Sequence, residues 1–192
     1  MAYTSCAVEV AANIVADCAS PLVAGFTGRG VYIPRSYAPT ISRNASNPRK
    51  IEDIAIGPSQ QTVALENLIQ NPYTGTNVAA NAENGTYTKS IALRVPAHGA
   101  DASRDIVEPL MKSPLGGIVI LERQDTSGVG SFPIFGIEKG AKATEETQND
   151  YENNGDWAAT LTTEERVAEY EFFDTDYATT LGKFEALLAA AH

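Results

Sequence analysis

The fold is decided by the stretch Asn84-Gly85-Thr86-Tyr87-Thr88-Lys89-Ser90-Ile91-Ala92-Leu93-Arg94-Val95. An Asn-Gly pair accepts positive φ at both central turn positions, so it predicts a β-hairpin with a two-residue type I′ turn. After the turn, side chains alternate between the two faces of a strand. One predicted face carries Tyr87, Lys89, Ile91, Leu93 and Val95. The segment before the turn, from Thr76, supplies the partner strand.

Working outward from the hairpin, the chain reads as short β segments interrupted by two helices. Branched and aromatic residues between glycines, prolines and polar turns are typical of strands. The residues around Gln61–Gln70 also fit helical spacing, and we interpret them as a strand. Proline lacks the N–H that a sheet requires, so Pro133 is predicted to lie at an edge or to face outward. The other predicted strands lie at Gly30–Ile33, Ile51–Ile56, Ile118–Leu121, Phe132–Ile137, Lys139–Thr147 and Trp157–Thr163.

Two helices are predicted from caps and apolar periodicity. The first follows Asp101 or Ser103, and Pro109 is expected to kink it. The second begins at Asp174 or Asp176 and presents Tyr177, Leu181, Phe184 and Leu188 on one face. The preceding residues, Tyr170 to Phe173, are predicted to dock as an extended arm. A terminal helix with an apolar face must cover another surface.

Composition limits the class of protein. At 192 residues the chain fits one large domain with trailing arms, and no apolar run reaches the length of a membrane-spanning helix. The net charge of −10 argues against a surface that grips nucleic acid. That excess lies in the last third, where 121–192 holds fifteen acidic and five basic residues. Two cysteines, Cys6 and Cys18, and no signal-like amino terminus favour folding in a reducing cytoplasm.

The search for reactive chemistry predicts no catalytic residue, cofactor or metal. The only histidines, His98 and His192, lack the spacing of a zinc or nucleophile–base site. The glycines at 25, 28 and 30 lack the residues of a phosphate-binding loop. Adjacent acidic pairs, such as Glu145-Glu146, point to opposite faces of a strand and are expected to be solvated. We therefore expect that the protein is not an enzyme.

Several pieces of the chain occur in a characteristic order. They are Cys6, Asp17-Cys18, Gly30–Ile33, Glu83–Tyr87, Leu93–Pro96, Ser103–Ile106, Gly117–Leu121, Phe135–Gly140 and Asn154–Leu161. In this order and spacing the chain resembles the small tail-tube-like virion proteins of phages infecting Bacteroidetes. The resemblance covers roughly Cys6 to Glu165. The chain departs from the pattern in an insertion from Arg35 to Ser59 and an extension from Phe172 to His192.

The resemblance implies a fold and a biological setting. The fold is β-rich (α+β), a β-sandwich or flattened barrel with one flanking helix and a C-terminal helix. Residues 1–165 would form a tail-tube-like β domain with an inserted loop at about 35–59, followed by a C-terminal arm and helix at 166–192. Subunits would form rings, usually of six, that stack into a tube. The tube would sit in the virion tail after assembly in the host cytoplasm, contact other tail proteins, and pass DNA without specific binding or membrane contact.

Two sets of candidate functional residues follow from this hypothesis. An acidic bore would let DNA slide without adhering, because carboxylates repel phosphates. The candidate lumen-facing residues are Glu138, Glu145, Glu146, Asp150, Glu152 and Asp156. The basic insertion and the apolar C-terminal arm are the candidate subunit interfaces. They comprise Arg35, Arg43, Arg49, Lys50, Tyr170, Phe172, Phe173, Tyr177, Leu181, Phe184 and Leu188.

Two other classes of protein compete with the tail-tube hypothesis. A capsid decoration protein or a head–tail adaptor ring would share the β-rich fold but form trimers, or rings that do not stack. An enzyme or carbohydrate-binding module would require an exposed aromatic platform, for which Tyr73, Tyr151 and Trp157 are the candidates. Trp157 fits a core position better.

Overall fold

The computed structural model describes residues 25–65, 73–95, 99–126, 128, 130–148 and 157–191, and within helices and strands it leaves a few side chains undescribed. Its larger sheet has seven strands in the order β2-β3-β11-β8-β7-β1-β4. In chain order these are β1 (Phe26–Pro34), β2 (Thr40–Arg43), β3 (Lys50–Ala55), β4 (Val63–Ala64), β7 (Gly117–Arg123), β8 (Pro133–Phe135) and β11 (Tyr170–Phe172). All pairings are antiparallel except that of β3 with β11.

The smaller sheet has four antiparallel strands in the order β5-β6-β10-β9. They are β5 (Tyr73–Asn81), β6 (Thr86–Val95), β9 (Lys142–Gln148) and β10 (Trp157–Glu165). The pairing of β6 with β10 runs without a break from Trp157 opposite Val95 to Glu165 opposite Tyr87. Hereafter we call these the large sheet and the small sheet.

Two helical regions flank the sheets. The first consists of α1 (Gly99–Ala102), a π-turn (Ser103–Val107) and α2 (Glu108–Lys112), and α2 contacts β9. The second is α3 (Tyr177–Ala189), whose N-cap Asp176 accepts a hydrogen bond from the Thr179 backbone N–H at 2.7 Å. The predicted cap and apolar face of this helix are both confirmed. Within the described residues no helix has the length and apolarity needed to cross a membrane.

Alternation along the central strands of the large sheet creates two cores. Val31 and Ile33 of β1 point to one side and Tyr32 to the other, and Ile118 and Val119 divide in the same way on β7. The first side, the helix-side core, is covered by Phe184 and Leu187 of α3. The second side, the inter-sheet core, meets Ile91, Leu93 and Leu161 of the small sheet. The protein is therefore a layered β-sandwich with α3 outside the large sheet, as predicted for the fold class.

The central hairpin forms, but its predicted two-residue turn is wrong. Asn81 pairs with Thr86, so the loop contains the four residues 82–85. Only Gly85 of the Asn-Gly pair has positive φ, at 62°. The side-chain oxygen of Asn81 accepts hydrogen bonds from the backbone N–H groups of Glu83 and Asn84, and these bonds stabilise the longer loop.

Two further expectations are corrected. Pro133 is buried in β8 between β11 and β7, because it begins a three-residue strand and needs no donor there. The segment 35–59, expected as a long loop, is a short 3₁₀ turn followed by the β2–β3 hairpin. The interruption predicted for the first helix is present as the π-turn. The π-turn includes Asp105. In a regular α-helix the ring of Pro109 would clash with the Asp105 carbonyl, which lies four residues earlier.

Candidate functional site

A fully buried ion pair lies at one end of the sandwich. Lys89 on β6 and Glu165 on β10 face the inter-sheet side, and their side chains are 1% and 0% exposed. The Lys89 ammonium donates to Glu165 Oε2, and Glu165 Oε1 accepts from the Ile137 backbone N–H at 2.8 Å. The ring centroids of Tyr170 and Phe135 lie 5.3 and 5.9 Å from Lys89 Nζ. Both charges are therefore held between the two sheets.

A second carboxylate, Glu138, borders this pair on the solvent side. It accepts a hydrogen bond from the Tyr170 hydroxyl at 2.6 Å and forms an ion pair with Arg166 at 3.2 Å. Partial burial alone would raise the pKa of Glu138, but these hydrogen bonds outweigh it and hold the pKa below its usual value. Burial and the Glu138 carboxylate together raise the pKa of Tyr170. Glu138 is thus a structural ion-pair partner in the folded subunit.

An open cleft of about 420 Å³ lies over these groups. Its charged lining is internally paired, since Glu138 meets Arg166, Glu165 meets Lys89, and Glu164 meets Lys139 at 2.6 Å. The Thr86 hydroxyl also donates to Glu164 at 2.7 Å. Each of these charges therefore has a partner of opposite sign within the subunit. The cleft is a structural joint between the sheets.

The candidate lumen-facing carboxylates do not form one set. Glu138 is engaged as described, and Glu145 is exposed. Glu146 stands opposite the buried Ala159 on the inter-sheet side, and its Oε1 is buried without a hydrogen-bond partner among the described residues. Burial raises the pKa of Glu146. The other three candidates, Asp150, Glu152 and Asp156, lie outside the described residues. Of the described candidates, Glu145 alone is exposed and has no hydrogen-bond or ion-pair partner among the residues that the structure describes, as the acidic-bore hypothesis requires.

The apolar half of the predicted interface is occupied within the subunit. Tyr170, Phe172 and Phe184 are buried in the helix-side core, and Tyr177, Leu181 and Leu188 pack against it. Lys50 Nζ lies 4.1 Å from the centroid of the Phe173 ring. β11 and α3 complete the large sheet and cover its outer side, so these candidate interface side chains are engaged within the subunit. All of them except Phe173 lie in or against the helix-side core.

The basic half of the predicted interface is more dispersed. Arg35 donates to the backbone carbonyls of Gly136 and Ile137 at 3.0 and 2.5 Å, which fixes it to the fold. Arg43 and Arg49 are exposed on the β2–β3 hairpin, and Arg43 also lies 5.2 Å from the centroid of the Tyr170 ring. Arg43 and Arg49 therefore remain the accessible members of this set.

The structure reveals a second candidate site that sequence reasoning missed, at the two edges of the small sheet. β5 and β9 each pair on one side only within the described residues. Unpaired edges are usually protected by charge, proline or short length, yet β5 has nine residues and Thr76–Asn81 contains neither charge nor proline. Val78 on this edge is 44% exposed. The uncharged run before the Asn-Gly turn was the available sequence signal.

One face of the small sheet packs on the inter-sheet core, and the opposite face, which we call the bare face, carries no further layer in the described structure. Strand alternation places mostly small polar residues on it. The residues are Asn77, Ala79, Asn81, Thr86, Thr88, Ser90, Ala92, Lys142, Thr144, Glu145, Thr147, Ala158, Thr160, Thr162 and Glu164. The Thr144 and Thr162 hydroxyls are 3.0 Å apart, so the hydroxyl groups bridge neighbouring strands.

Comparisons with known proteins leave the site to be interpreted from its own chemistry. No family model, curated protein or solved structure matches the chain. Among the described residues, no group of three or more His, Cys, Asp or Glu side chains could hold a metal ion. Of the proposed aromatic platform, the structure describes the side chain of Trp157 alone, and that side chain is half-buried.

Proposed function

We propose that this protein is a structural subunit that assembles into rings through the open edges of its small sheet, and that the rings stack into a phage tail tube. The observation that carries the proposal is the pair of opposed edges. Four antiparallel strands make β5 and β9 run in opposite directions. A copy rotated about a ring axis therefore brings its β9 antiparallel to β5 of its neighbour, and a closed ring leaves neither edge of the small sheet free.

The unequal sheets support a ring with the small sheet inside. Four strands span about 19 Å and seven about 34 Å at the usual strand spacing. A subunit that is narrow on one side and wide on the other fits a ring wall with its narrow side inward. In a ring of six, 24 tilted strands would enclose a channel about 48 Å across between backbones, which is wide enough for duplex DNA after side chains are added.

The experiment is to measure assembly of the full-length protein by light scattering and negative-stain microscopy. Stacked rings support the tail-tube proposal, isolated rings or trimers support an adaptor or decoration protein, and a stable monomer at high concentration contradicts both. A79K places a charge on the β5 edge at an exposed position opposite Thr88, and it should abolish ring formation while the subunit stays folded. The matched control A178K places the same charge on an exposed position of α3. Equal assembly of both variants would contradict the edge-pairing model.

A further inference from the structure

We infer that the bare face lines the conduit and acts as a neutral, hydroxyl-rich surface on which duplex DNA slides, in place of the acidic lining predicted from charge. This inference rests on the proposed ring. With β5 and β9 paired between neighbours and the wide large sheet outside, the uncovered side of the small sheet is the side that faces the axis.

The chemistry of the bare face is dominated by hydroxyl groups. Its centre is formed by Thr88, Ser90, Thr144, Thr147, Thr160 and Thr162. The Thr144 hydroxyl lies 3.2 Å from the Thr160 carbonyl and 3.0 Å from the Thr162 hydroxyl. These contacts satisfy part of the hydrogen-bonding capacity within the sheet, and solvent satisfies the remainder. Such a surface offers a phosphate group only weak, exchangeable hydrogen bonds.

Among the side chains that the structure describes, the charges on and beside the bare face balance. Glu164 is paired with Lys139 at 2.6 Å, and hydrogen bonds from Lys139 and Thr86 lower the pKa of this carboxyl. Glu145 and Lys142 project from the same side of β9, opposite Thr160 and Thr162. A balanced surface neither neutralises phosphates, which would release counterions and hold the genome, nor repels them strongly.

The first test maps which surface is enclosed. Cys6 and Cys18 are replaced by serine, and one cysteine is introduced either at Thr88 on the bare face or at Ala186 on the exposed side of α3. In tubes, T88C should react with a small maleimide but not with a maleimide attached to a bulky polymer, whereas A186C should react with both. In unassembled subunits both positions should react with both reagents. If T88C and A186C in tubes reacted equally with the bulky reagent, the proposal that the bare face lines the conduit would be wrong, whereas the proposal that the protein forms tubes would stand. Failure to form tubes would overturn the proposed function itself.

The second test measures adhesion of a short DNA duplex to assembled tubes by co-sedimentation. Wild-type tubes should retain little duplex at low salt. T88K adds one cation per subunit to the lining and should increase retention at least about tenfold, with the increase lost as salt rises. A186K, on the outer side of α3, is the control for charge in general. Strong, salt-sensitive retention by wild-type tubes, or equal retention by T88K and A186K, would contradict a neutral lining.

Discussion

Lys89 and Glu165 of the small sheet form an ion pair. The residues that surround this pair belong to the large sheet and to the turn that follows β8. The Ile137 N–H holds one oxygen of Glu165, and the rings of Phe135 and Tyr170 lie beside Lys89. Because neither side chain reaches solvent, each charge depends on the other for compensation. The pair thus couples the register of the small sheet to the position of the large one.

Removing one charge of this pair should strongly destabilise the protein. E165Q keeps the shape but leaves the buried ammonium without a counter-charge, and we expect a loss of about 3–5 kcal/mol in the free energy of unfolding. Urea denaturation measures it. E164Q, which removes a carboxylate from the exposed pair with Lys139, is the matched control and should change stability little. The double variant K89M/E165Q, in which the glutamine can still accept from the Ile137 N–H, should recover most of the loss, and its failure to do so would argue against unpaired charge as the cause.

The C-terminal helix should be required for folding as well as for any assembly. Phe184 is fully buried against the Phe132 ring, with the centroids 5.1 Å apart, so F184A should cost about 3–5 kcal/mol. G182A lies on the exposed side of the same helix, where an added Cβ has nothing within 4 Å, and should stabilise by about 1 kcal/mol. Thermal denaturation of the two variants tests this. A truncation of 174–192 that remained folded would contradict the helix-side core.

Glu146 should make stability depend on pH. Its raised pKa means that the folded protein holds a proton where the unfolded chain has released it. Stability is therefore lost as pH rises from the unfolded-state pKa through the folded-state pKa, and glutamine avoids that loss. We expect E146Q to be more stable than wild type at about pH 8 and to match it near pH 4. E145Q, one residue away and exposed, is the control. A constant difference between E146Q and wild type across this range would refute the assignment.

The β2–β3 hairpin should be ordered before any assembly. The Phe173 N–H donates to the Ile51 carbonyl at 2.9 Å, and the Glu171 N–H donates to the Arg49 carbonyl at 3.1 Å. Hydrogen exchange of the unassembled subunit should therefore show β3 protected to a degree similar to β7, with rapid exchange only at the exposed hairpin tip, 45–49. Exchange of β3 as fast as that of the tip would restore the hypothesis that this segment is a mobile loop.

Sequence reasoning succeeded where structure depends on neighbouring residues. The alternation of Ile91 and Leu93 correctly identified the buried face of β6. The helix cap, predicted at Asp174 or Asp176 and found at Asp176, could be predicted for the same reason, because capping is a local hydrogen bond. The error at the Asn-Gly turn arose because Asn81, just outside the pair, contributed hydrogen bonds that favoured a longer loop.

Features that join distant residues could not be predicted in this way. Lys50 stands beside Glu171 in the large sheet, and no local pattern encodes such a parallel pairing. Lys89 was correctly placed on the face of Ile91, but a lysine on a core face is compensated only by a partner far along the chain. The set of residues on a whole sheet face, such as the bare face, likewise cannot be predicted unless the strand order is known.

The position of β11 sets a condition on how the protein is made. This strand comes near the end of the chain yet lies inside the large sheet, between β3 and β8. While the ribosome is still synthesising the chain, the adjoining sides of β3 and β8 have no strand between them. Contacts between such distant residues form slowly, and unpaired strands are exposed to aggregation in the meantime. The large sheet can therefore be completed only once residues 170–172 have been synthesised, and until then β3 and β8 each keep one unpaired side.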